Sequence, residues 1–207
     1  MTVNAALFGT SADPPTAAHQ AILNWLSHNY DLVIAWASDN PLKSQQTPLE
    51  HRSQMLRLLI EETPVPRQNI SLRQNLSSPR TLETVEAVRQ QLGLQVDLTL
   101  VIGSDLVNQI QCWYQIEQLL KQVKLLVVPR PGYAIEQAGL EDLHQLGTQV
   151  AVAQLKAPSV SSTAYRDWGD TEALTTAVKD YIHQQHLYSC QKAVPNRGER
   201  KKVWGNN

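Results

Sequence analysis

The chain lacks the features that mark several large classes of protein. It has two cysteines, Cys112 and Cys190, and no C-x-x-C pair, which excludes a disulfide framework and disfavours a thiolate zinc site. Its formal net charge is −1, so no overall electrostatic attraction to nucleic acid or to an acidic membrane is expected. The apolar runs are far too short to span a bilayer, and residues 1–4 lack the basic and apolar regions of a signal peptide. We therefore expect a soluble, cytoplasmic protein that binds neither nucleic acid nor membrane.

The apolar content is nevertheless sufficient for a folded core. Of the 207 residues, 42% are hydrophobic and 18% are charged, and the length fits one domain. Short apolar runs alternate with segments of helical period, and the runs are continuous, as in strands that are covered on both faces. The predicted strands are residues 5–8, 32–36, 98–102, 125–128 and 150–152, and the predicted helices are 17–29, 49–62, 82–92, 106–121 and 135–145. This alternation predicts an α/β fold, a Rossmann-like doubly wound parallel sheet with helices on both faces.

Local signals predict some boundaries. Residues 47–50, Thr-Pro-Leu-Glu, have the form of a capping box with proline at the first helical position, and Gly93 is placed to end the helix before it. A final helix is expected to end near Tyr188. Residues 191–207 hold five basic residues and one acidic residue, a net charge of +4. We therefore divide the chain into a domain at residues 1–188 and a basic, mobile tail at residues 189–207.

The segment between the first predicted strand and the first predicted helix carries the most chemical information. Open α/β sheets bind ligands at this end of their strands, and a helix N-terminus attracts phosphate. Gly9, Thr10 and Ser11 are small enough to let the backbone approach a ligand closely. Thr16 and His19 are three residues apart and share a face of the first helical turn, so both could contact one polyphosphate. Taken alone, the segment is also compatible with a proline-rich turn and a histidine that is satisfied in the core.

The same segment resembles the G-G-T-F-D-P-x-H-x-G-H motif that opens the nucleotidyltransferase superfamily. Thr16 stands at the first histidine of the motif, where threonine is common, and Ser11 stands at its threonine. The identical positions are Gly9, Asp13, Pro14 and His19, and the departures are Thr10, Ala12 and Ala18. A second block, residues 160–166, resembles the I-S-S-T-x-I-R segment of the same superfamily. Hydroxyls at a helix start and an arginine one turn later suit phosphate oxygens, although a simple helix cap would explain part of this block.

Further segments resemble the bacterial nicotinate mononucleotide adenylyltransferases, so that the resemblance covers about residues 3–188. They match the G-x-D…W signature, the R-P-G-Y segment, the P-P-H-K and R-x-x-M elements and the closing Y-I…L-Y. The corresponding residues here are Gly103, Asp105, Trp113, Arg130–Tyr133, Asn40–Lys43, Arg52, Met55, Tyr181 and Tyr188. In the S-Y-T segment of this family, which lies at the nicotinate pocket, Thr81 matches but Arg80 replaces the tyrosine. A cation at that position could favour the acid over the amide.

The resemblance implies transfer of the adenylyl group of ATP to nicotinate mononucleotide, which gives deamido-NAD and pyrophosphate in NAD biosynthesis. It implies Mg²⁺ carried with ATP and no resident metal, and it leaves a homo-oligomer open. His19, Thr16 and Arg166 are the expected catalytic residues. ATP is expected at Gly9, Thr10, Ser11, Thr16, His19, Gly103, Asp105, Ser161, Ser162, Thr163 and Arg166. Nicotinate mononucleotide is expected at Lys43, Thr81, Trp113, Tyr114 and Arg130, with Trp113 as a stacking face for the pyridine ring.

Two alternatives stay open on the sequence. A related transferase such as a pantetheine-phosphate adenylyltransferase also carries threonine at the position of Thr16, although Trp113 and the R-P-G-Y segment argue against it. A nucleotide-binding protein without catalytic activity would retain the fold and could carry substitutions such as Thr10 and Ala18. Taken singly, Trp113 could equally be ordinary core and Lys43 or Arg80 solvated charges.

Overall fold

The computed structural model describes residues 2–39, 46–93 and 95–188, and within them six parallel strands form one sheet. The strands are β1 (Val3–Thr10), β2 (Leu32–Ala37), β3 (Ile70–Leu72), β4 (Val96–Gly103), β5 (Lys124–Val128) and β6 (Val150–Val152). Their order is β3-β2-β1-β4-β5-β6, with register pairs such as Leu7 with Ile34 and Leu7 with Leu100. The chain leaves β1 toward β2 on one side and continues from β4 toward β5 on the other. The strand order therefore reverses between β1 and β4, where doubly wound sheets bind their ligands.

Helices cover both faces of this sheet, as predicted. They are α1 (Ala17–Asn29), α2 (Leu49–Glu61), α3 (Thr81–Leu92), α4 (Ile116–Leu120), α5 (Gln137–Gln145), α6 (Ser162–Trp168) and α7 (Thr176–Gln184). Buried side chains of α3, α4 and α5 pack on one face, and those of α1, α2, α6 and α7 pack on the other. Successive residues of β1 contribute to opposite faces of the sheet. Leu7 packs in the core on the side of α3, α4 and α5, and Phe8 packs in the core on the other side. A continuous apolar run is thus the pattern that two covered faces require.

The predicted helix at residues 106–121 is wrong. The chain instead forms two short 3-10 turns, Ser104–Leu106 and Ile110–Cys112, before the five-residue helix α4. Gln115 has a φ of 48°, a left-handed conformation that interrupts any continuous helix. Ile110 is fully buried, so the spacing of apolar residues was a true signal of burial but not of a single helix. The result is an irregular segment that carries Trp113 and Tyr114 past the end of β4.

Other boundaries differ in smaller ways. Strand β3 was not predicted because three residues, Ile-Ser-Leu, give too short a pattern to recognise. The capping box at residues 47–50 is also wrong, since Pro48 is itself the N-cap of α2 and no side chain caps that helix. Helix α7 ends at Gln184, four residues before the predicted end, whereas Gly93 does end α3 with a φ of 82°. None of the helices in the described ranges has the length and apolar character needed to cross a bilayer. The predicted tail at residues 189–207 lies outside these ranges.

Candidate active site

A cavity of about 1120 Å³ opens at the carboxyl ends of β1 and β4. Single drug-sized ligands usually occupy about 300–1,000 Å³, so this volume suits a ligand pair of nucleotide size. Residues of both predicted nucleotide-binding motifs line it, together with the segments that follow β4 and β5. The lining residues include Gly9, Thr10, Ser11, His19, Thr81, Gly103, Asp105, Trp113, Tyr114, Arg130, Ser161, Ser162, Thr163 and Arg166.

The loop after β1 is shaped by one close approach. A Cβ atom on Gly9 would lie 2.6 Å from Cζ2 of Trp36, so only glycine lets the indole of β2 pack against this strand end. Trp36 is 4% exposed and lines the cavity, although nothing in its sequence context marked it as a site residue. The hydroxyl of Thr10 accepts a hydrogen bond from the amide of Ala12 at 3.3 Å, which holds the next turn of the loop. The packing of Trp36 against Gly9 and the bond between Ala12 and Thr10 therefore hold the loop in place without a ligand.

His19 is held in one tautomer by the residue that caps its helix. The backbone amide of Thr16 donates to Nδ1 of His19 at 3.0 Å, and the Thr16 hydroxyl lies 2.9 Å from the same nitrogen. Because Nδ1 accepts the amide proton, the neutral ring carries its own proton on Nε2. Burial, with a smaller contribution from the charge of Arg130, lowers the pKa of His19 to about 4. At neutral pH the ring is therefore a neutral hydrogen-bond donor in the cavity wall.

Thr16 has a different place from the one that the sequence suggested. It is fully buried behind His19 and does not line the cavity. The structure gives its hydroxyl a contact with the imidazole rather than with a ligand. Its position suits orienting His19 more than contacting phosphate.

The second motif folds directly against the first. Ser161 caps α6 by accepting a hydrogen bond from the amide of Ala164 at 3.0 Å. The hydroxyl of Ser162 donates to the carbonyl of Pro14 at 2.8 Å, across 148 residues of sequence. The guanidinium of Arg166 donates to the carbonyl of Asp13. The two predicted motifs thus meet, and hydrogen bonds between them fix their relative position.

Arg166 also donates to the hydroxyl of Thr163 at 3.3 Å. This contact orients the guanidinium along the first turn of α6, beside the loop after β1. Thr163 and Arg166 both line the cavity, so a hydroxyl and a positive charge border the same space as His19. This grouping offers an anion several donors from two distant parts of the chain.

Two side chains, Arg52 and Tyr188, support this loop, although the sequence analysis gave neither of them a role in the site. Arg52 is 1% exposed and donates to the carbonyls of Ser11, Ser38 and Thr47 at 2.9, 2.7 and 2.8 Å. Burial lowers the pKa of Arg52, while the nearby charges of Asp13 and Asp39 oppose that shift. A signal was available, because Arg52 stands four residues before Leu56 and seven before Leu59, on the apolar face of α2. An arginine at such a position is buried only where its donors are used.

The second of these side chains, Tyr188, lies at the end of the described residues. The phenol of Tyr188 donates to Oδ1 of Asp13 at 2.6 Å, and its ring packs edge-on against Tyr165 at 5.7 Å. Burial, and next the bond to Asp13, raise the pKa of Tyr188, which therefore stays protonated and donates. Asp13 is 4% exposed as a whole residue, so this bond satisfies an acid that has little access to water.

The segments after β4 and β5 form a second group of contacts. A Cβ atom on Gly103 would lie 2.3 Å from Oδ1 of Asp105, so this glycine makes room for the carboxylate that follows it. Oδ2 of Asp105 accepts from Nη1 of Arg130 at 2.7 Å. Ser104 ties the two segments together by accepting from the amide of Arg130 and donating to the carbonyl of Tyr133. Arg130 is thereby held close enough to His19 to affect its pKa.

The start of α3 and the segment after β4 carry most of the other residues predicted to bind the pyridine nucleotide. Thr81 opens α3 and lines the cavity. Trp113 is partly buried against the core, and Tyr114 is 46% exposed at the rim. Cζ of Arg80 lies 4.2 Å from the centre of the Tyr114 ring. Lys43, the remaining predicted contact, lies outside the described residues.

Comparisons with known proteins point to one family. The cytidylyltransferase-like family matches residues 7–167. A probable nicotinate-nucleotide adenylyltransferase of Synechocystis sp. is 42% identical over 195 residues, covering 88% of this chain and 98% of the relative. The nicotinate-nucleotide adenylyltransferase of Bacillus subtilis is 26% identical, covering 88% of this chain and 96% of the relative. Among solved structures, a nicotinic acid mononucleotide adenylyltransferase of Plasmodium falciparum complexed with NaAD has a TM-score of 0.76 at 21% identity, covering 90% of this chain and 98% of that one.

Proposed function

Because the chain belongs to the nicotinate-nucleotide adenylyltransferase family, we propose that it transfers the adenylyl group of ATP to nicotinate mononucleotide. The products are deamido-NAD and pyrophosphate. One structural observation supports the proposal above the others: two motifs 148 residues apart are bonded to each other and line one cavity of about 1120 Å³. The lining of that cavity combines phosphate-compatible donors with the aromatic side chains of Trp113 and Tyr114.

The reaction needs little covalent chemistry from the protein. A phosphate oxygen of nicotinate mononucleotide attacks the α-phosphorus of ATP, the new P–O bond forms, and the bond to the β-phosphate oxygen breaks with release of pyrophosphate. The attacking phosphate is already anionic at neutral pH, so no general base is required. The protein has to hold two polyanions in line and to neutralise the charge that gathers on the leaving group.

The proposed roles follow from the contacts. His19 donates through Nε2 to a phosphate oxygen, and Thr16 acts as a positioning residue that fixes the ring. Arg166, together with Ser162 and Thr163 at the start of α6, contacts the polyphosphate from the opposite side of the loop. Donors that are fixed before the reaction cost no reorganisation when charge develops.

The remaining predicted residues are assigned to the two substrates. Gly9, Thr10 and Ser11 let the triphosphate approach the loop, and Ser161 shapes the start of α6. We propose that Gly103 and Asp105 contribute to the ATP side of the cavity. Thr81, Trp113, Tyr114 and Arg130 would contact nicotinate mononucleotide, with Trp113 stacked on the pyridine ring.

Mg²⁺ would enter with ATP as part of the substrate. Within the described ranges, no group of three or more His, Cys, Asp or Glu side chains could hold a metal ion. Mg²⁺ commonly takes most of its ligands from water and substrate phosphates, which is how we propose that it is held here. The division into a domain at 1–188 and a basic tail, like the cytoplasmic location, remains a prediction.

The test is pyrophosphate release from Mg-ATP with three acceptors: nicotinate mononucleotide, nicotinamide mononucleotide and phosphopantetheine. We expect release with the first, and a fall of roughly 10²–10³ in turnover for His19→Ala, the scale of losing one transition-state donor. His183→Ala, which removes an exposed histidine on α7, is the matched control and should retain activity. Release with phosphopantetheine alone would favour the related transferase. ATP binding without release for any acceptor would favour a binding protein.

A further inference from the structure

One charged group in the cavity wall has no place in the scheme above. Arg80 precedes α3 as its N-cap residue, with an extended backbone, and it lines the cavity beside Thr81. Its side chain crosses toward the irregular segment after β4, where Cζ lies 4.2 Å from the ring centre of Tyr114. The guanidinium therefore lies against the tyrosine that directly follows Trp113, the residue that is proposed to stack on the substrate ring.

Neighbouring side chains hold this guanidinium in place. Nη1 of Arg80 donates to Oε1 of Glu83 at 3.2 Å, and its backbone amide donates to the hydroxyl of Ser78 at 3.1 Å. Ser78 in turn donates to Oε2 of Glu83 at 2.5 Å. The bond from Ser78, aided by Arg80, lowers the pKa of Glu83, which stays ionised. A side chain with contacts on two sides loses less freedom on binding a ligand than one that is free in solvent.

The guanidinium keeps most of its donors after these contacts. It has five N–H groups, and the bond to Glu83 uses one of them. Stacking on Tyr114 occupies a face of the group and leaves its edge for hydrogen bonds. A planar guanidinium edge matches a carboxylate, which accepts two bonds, better than a carboxamide, whose NH₂ group is itself a donor.

We propose that Arg80 is a specificity-determining residue, whose guanidinium, held between Glu83 and Tyr114, selects the carboxylate of nicotinate mononucleotide over the carboxamide of nicotinamide mononucleotide. The proposal rests on the proposed function. The two substrates differ at neutral pH by one negative charge on the ring substituent and hardly at all in size. Charge and donor direction are thus the properties by which this site can discriminate.

The experiment compares kcat/KM for the two mononucleotides, with Mg-ATP in excess, in the wild type, Arg80→Gln and Arg80→Lys. Arg80→Gln should lower the ratio of acid to amide by roughly tenfold, the scale of one partly solvated ionic hydrogen bond. The loss should appear as a higher KM for nicotinate mononucleotide, with the values for the amide little changed. Arg80→Lys keeps the charge but not the planar edge, so it should recover part of the ratio. Arg57→Gln, which removes an exposed arginine on α2, is the control and should leave the ratio unchanged.

The outcomes separate this inference from the function on which it rests. An unchanged ratio in Arg80→Gln, or an equal loss for both mononucleotides, would overturn the role of Arg80 while leaving the adenylyltransferase activity intact. Absence of pyrophosphate release from the wild type with either mononucleotide would instead overturn the proposed function. Raising the salt concentration gives a second readout, because the acid preference of the wild type should weaken with ionic strength and that of Arg80→Gln should not.

Discussion

Partly buried and uncharged, His19 makes the stability of this protein depend on pH in a defined window. The pKa of the ring is lowered from 6.5 to about 4 in the folded chain, chiefly by burial. Between these two values the unfolded chain binds more protons than the folded one. Stability therefore rises with pH across the window, and it falls as the pH drops below about 6.5.

The size of the effect follows from the two pKa values. Each unit of difference corresponds to about 1.4 kcal/mol, so the full window is worth about 3.4 kcal/mol, of which about 2 kcal/mol is lost between pH 7 and pH 5. The ring is partly open to the cavity, so solvent screening makes these upper values. We expect an observed loss between pH 7 and pH 5 of about 1–2 kcal/mol from this residue.

The assay is urea unfolding at half-unit steps from pH 7 to pH 5, for the wild type and His19→Asn. The asparagine oxygen can still accept the amide proton of Thr16, but it does not titrate, so the variant isolates the protonation effect. As the pH falls, the unfolding free energy of the wild type should decrease relative to that of His19→Asn. His183→Asn should track the wild type. A difference that stays constant over this range would refute the reasoning about burial, as would a histidine signal of His19 titrating near pH 6.5.

Two further predictions concern the walls of the cavity. Tyr188→Phe removes the phenolic hydroxyl that donates to Asp13, a buried residue. The free energy of unfolding should therefore fall by about 1–3 kcal/mol, and KM for ATP should rise. A variant with the stability and KM of the wild type would show that the bond is dispensable. Gly9→Ala places a Cβ atom 2.6 Å from Cζ2 of Trp36, and the displaced indole should cost about 1–3 kcal/mol and alter the tryptophan fluorescence. Unchanged stability and emission in Gly9→Ala would mean that the loop has room that the structure does not show.

Local sequence patterns predicted a helix or strand correctly where residues close together in the chain determine it. Helix α1 and strand β6 have the predicted bounds, since apolar spacing and run length alone specify them. The parallel α/β sheet was predicted from the alternation of apolar runs and helical segments, whereas the reversal of strand order between β1 and β4 came only from the structure. The spacing of apolar residues gave a wrong prediction at residues 106–121, where the left-handed conformation of Gln115 interrupts the predicted helix.

The candidate site was likewise predicted only in part from the sequence. From the sequence alone, the residue types of the loop after β1 and of the block at 160–166 indicated phosphate chemistry, and most of those residues line the cavity. Contacts across the fold decided what each side chain does there. Thr16 lies next to His19 and outside the cavity lining, and the roles of Arg52, Trp36 and Tyr188 depend on partners that are distant in the sequence.

The physical reason is the range of the interactions involved. Helix and strand formation depends on neighbours within a few residues, so a linear pattern records it. The tautomer and pKa of His19, by contrast, depend on burial and on a charge at Arg130, 111 positions along the chain, and the carboxylate of Asp13 is satisfied by a phenol 175 positions away. Such partners come together only when the sheet has formed, so the sequence determined the kind of chemistry and the tertiary structure determined which groups are poised to carry it out.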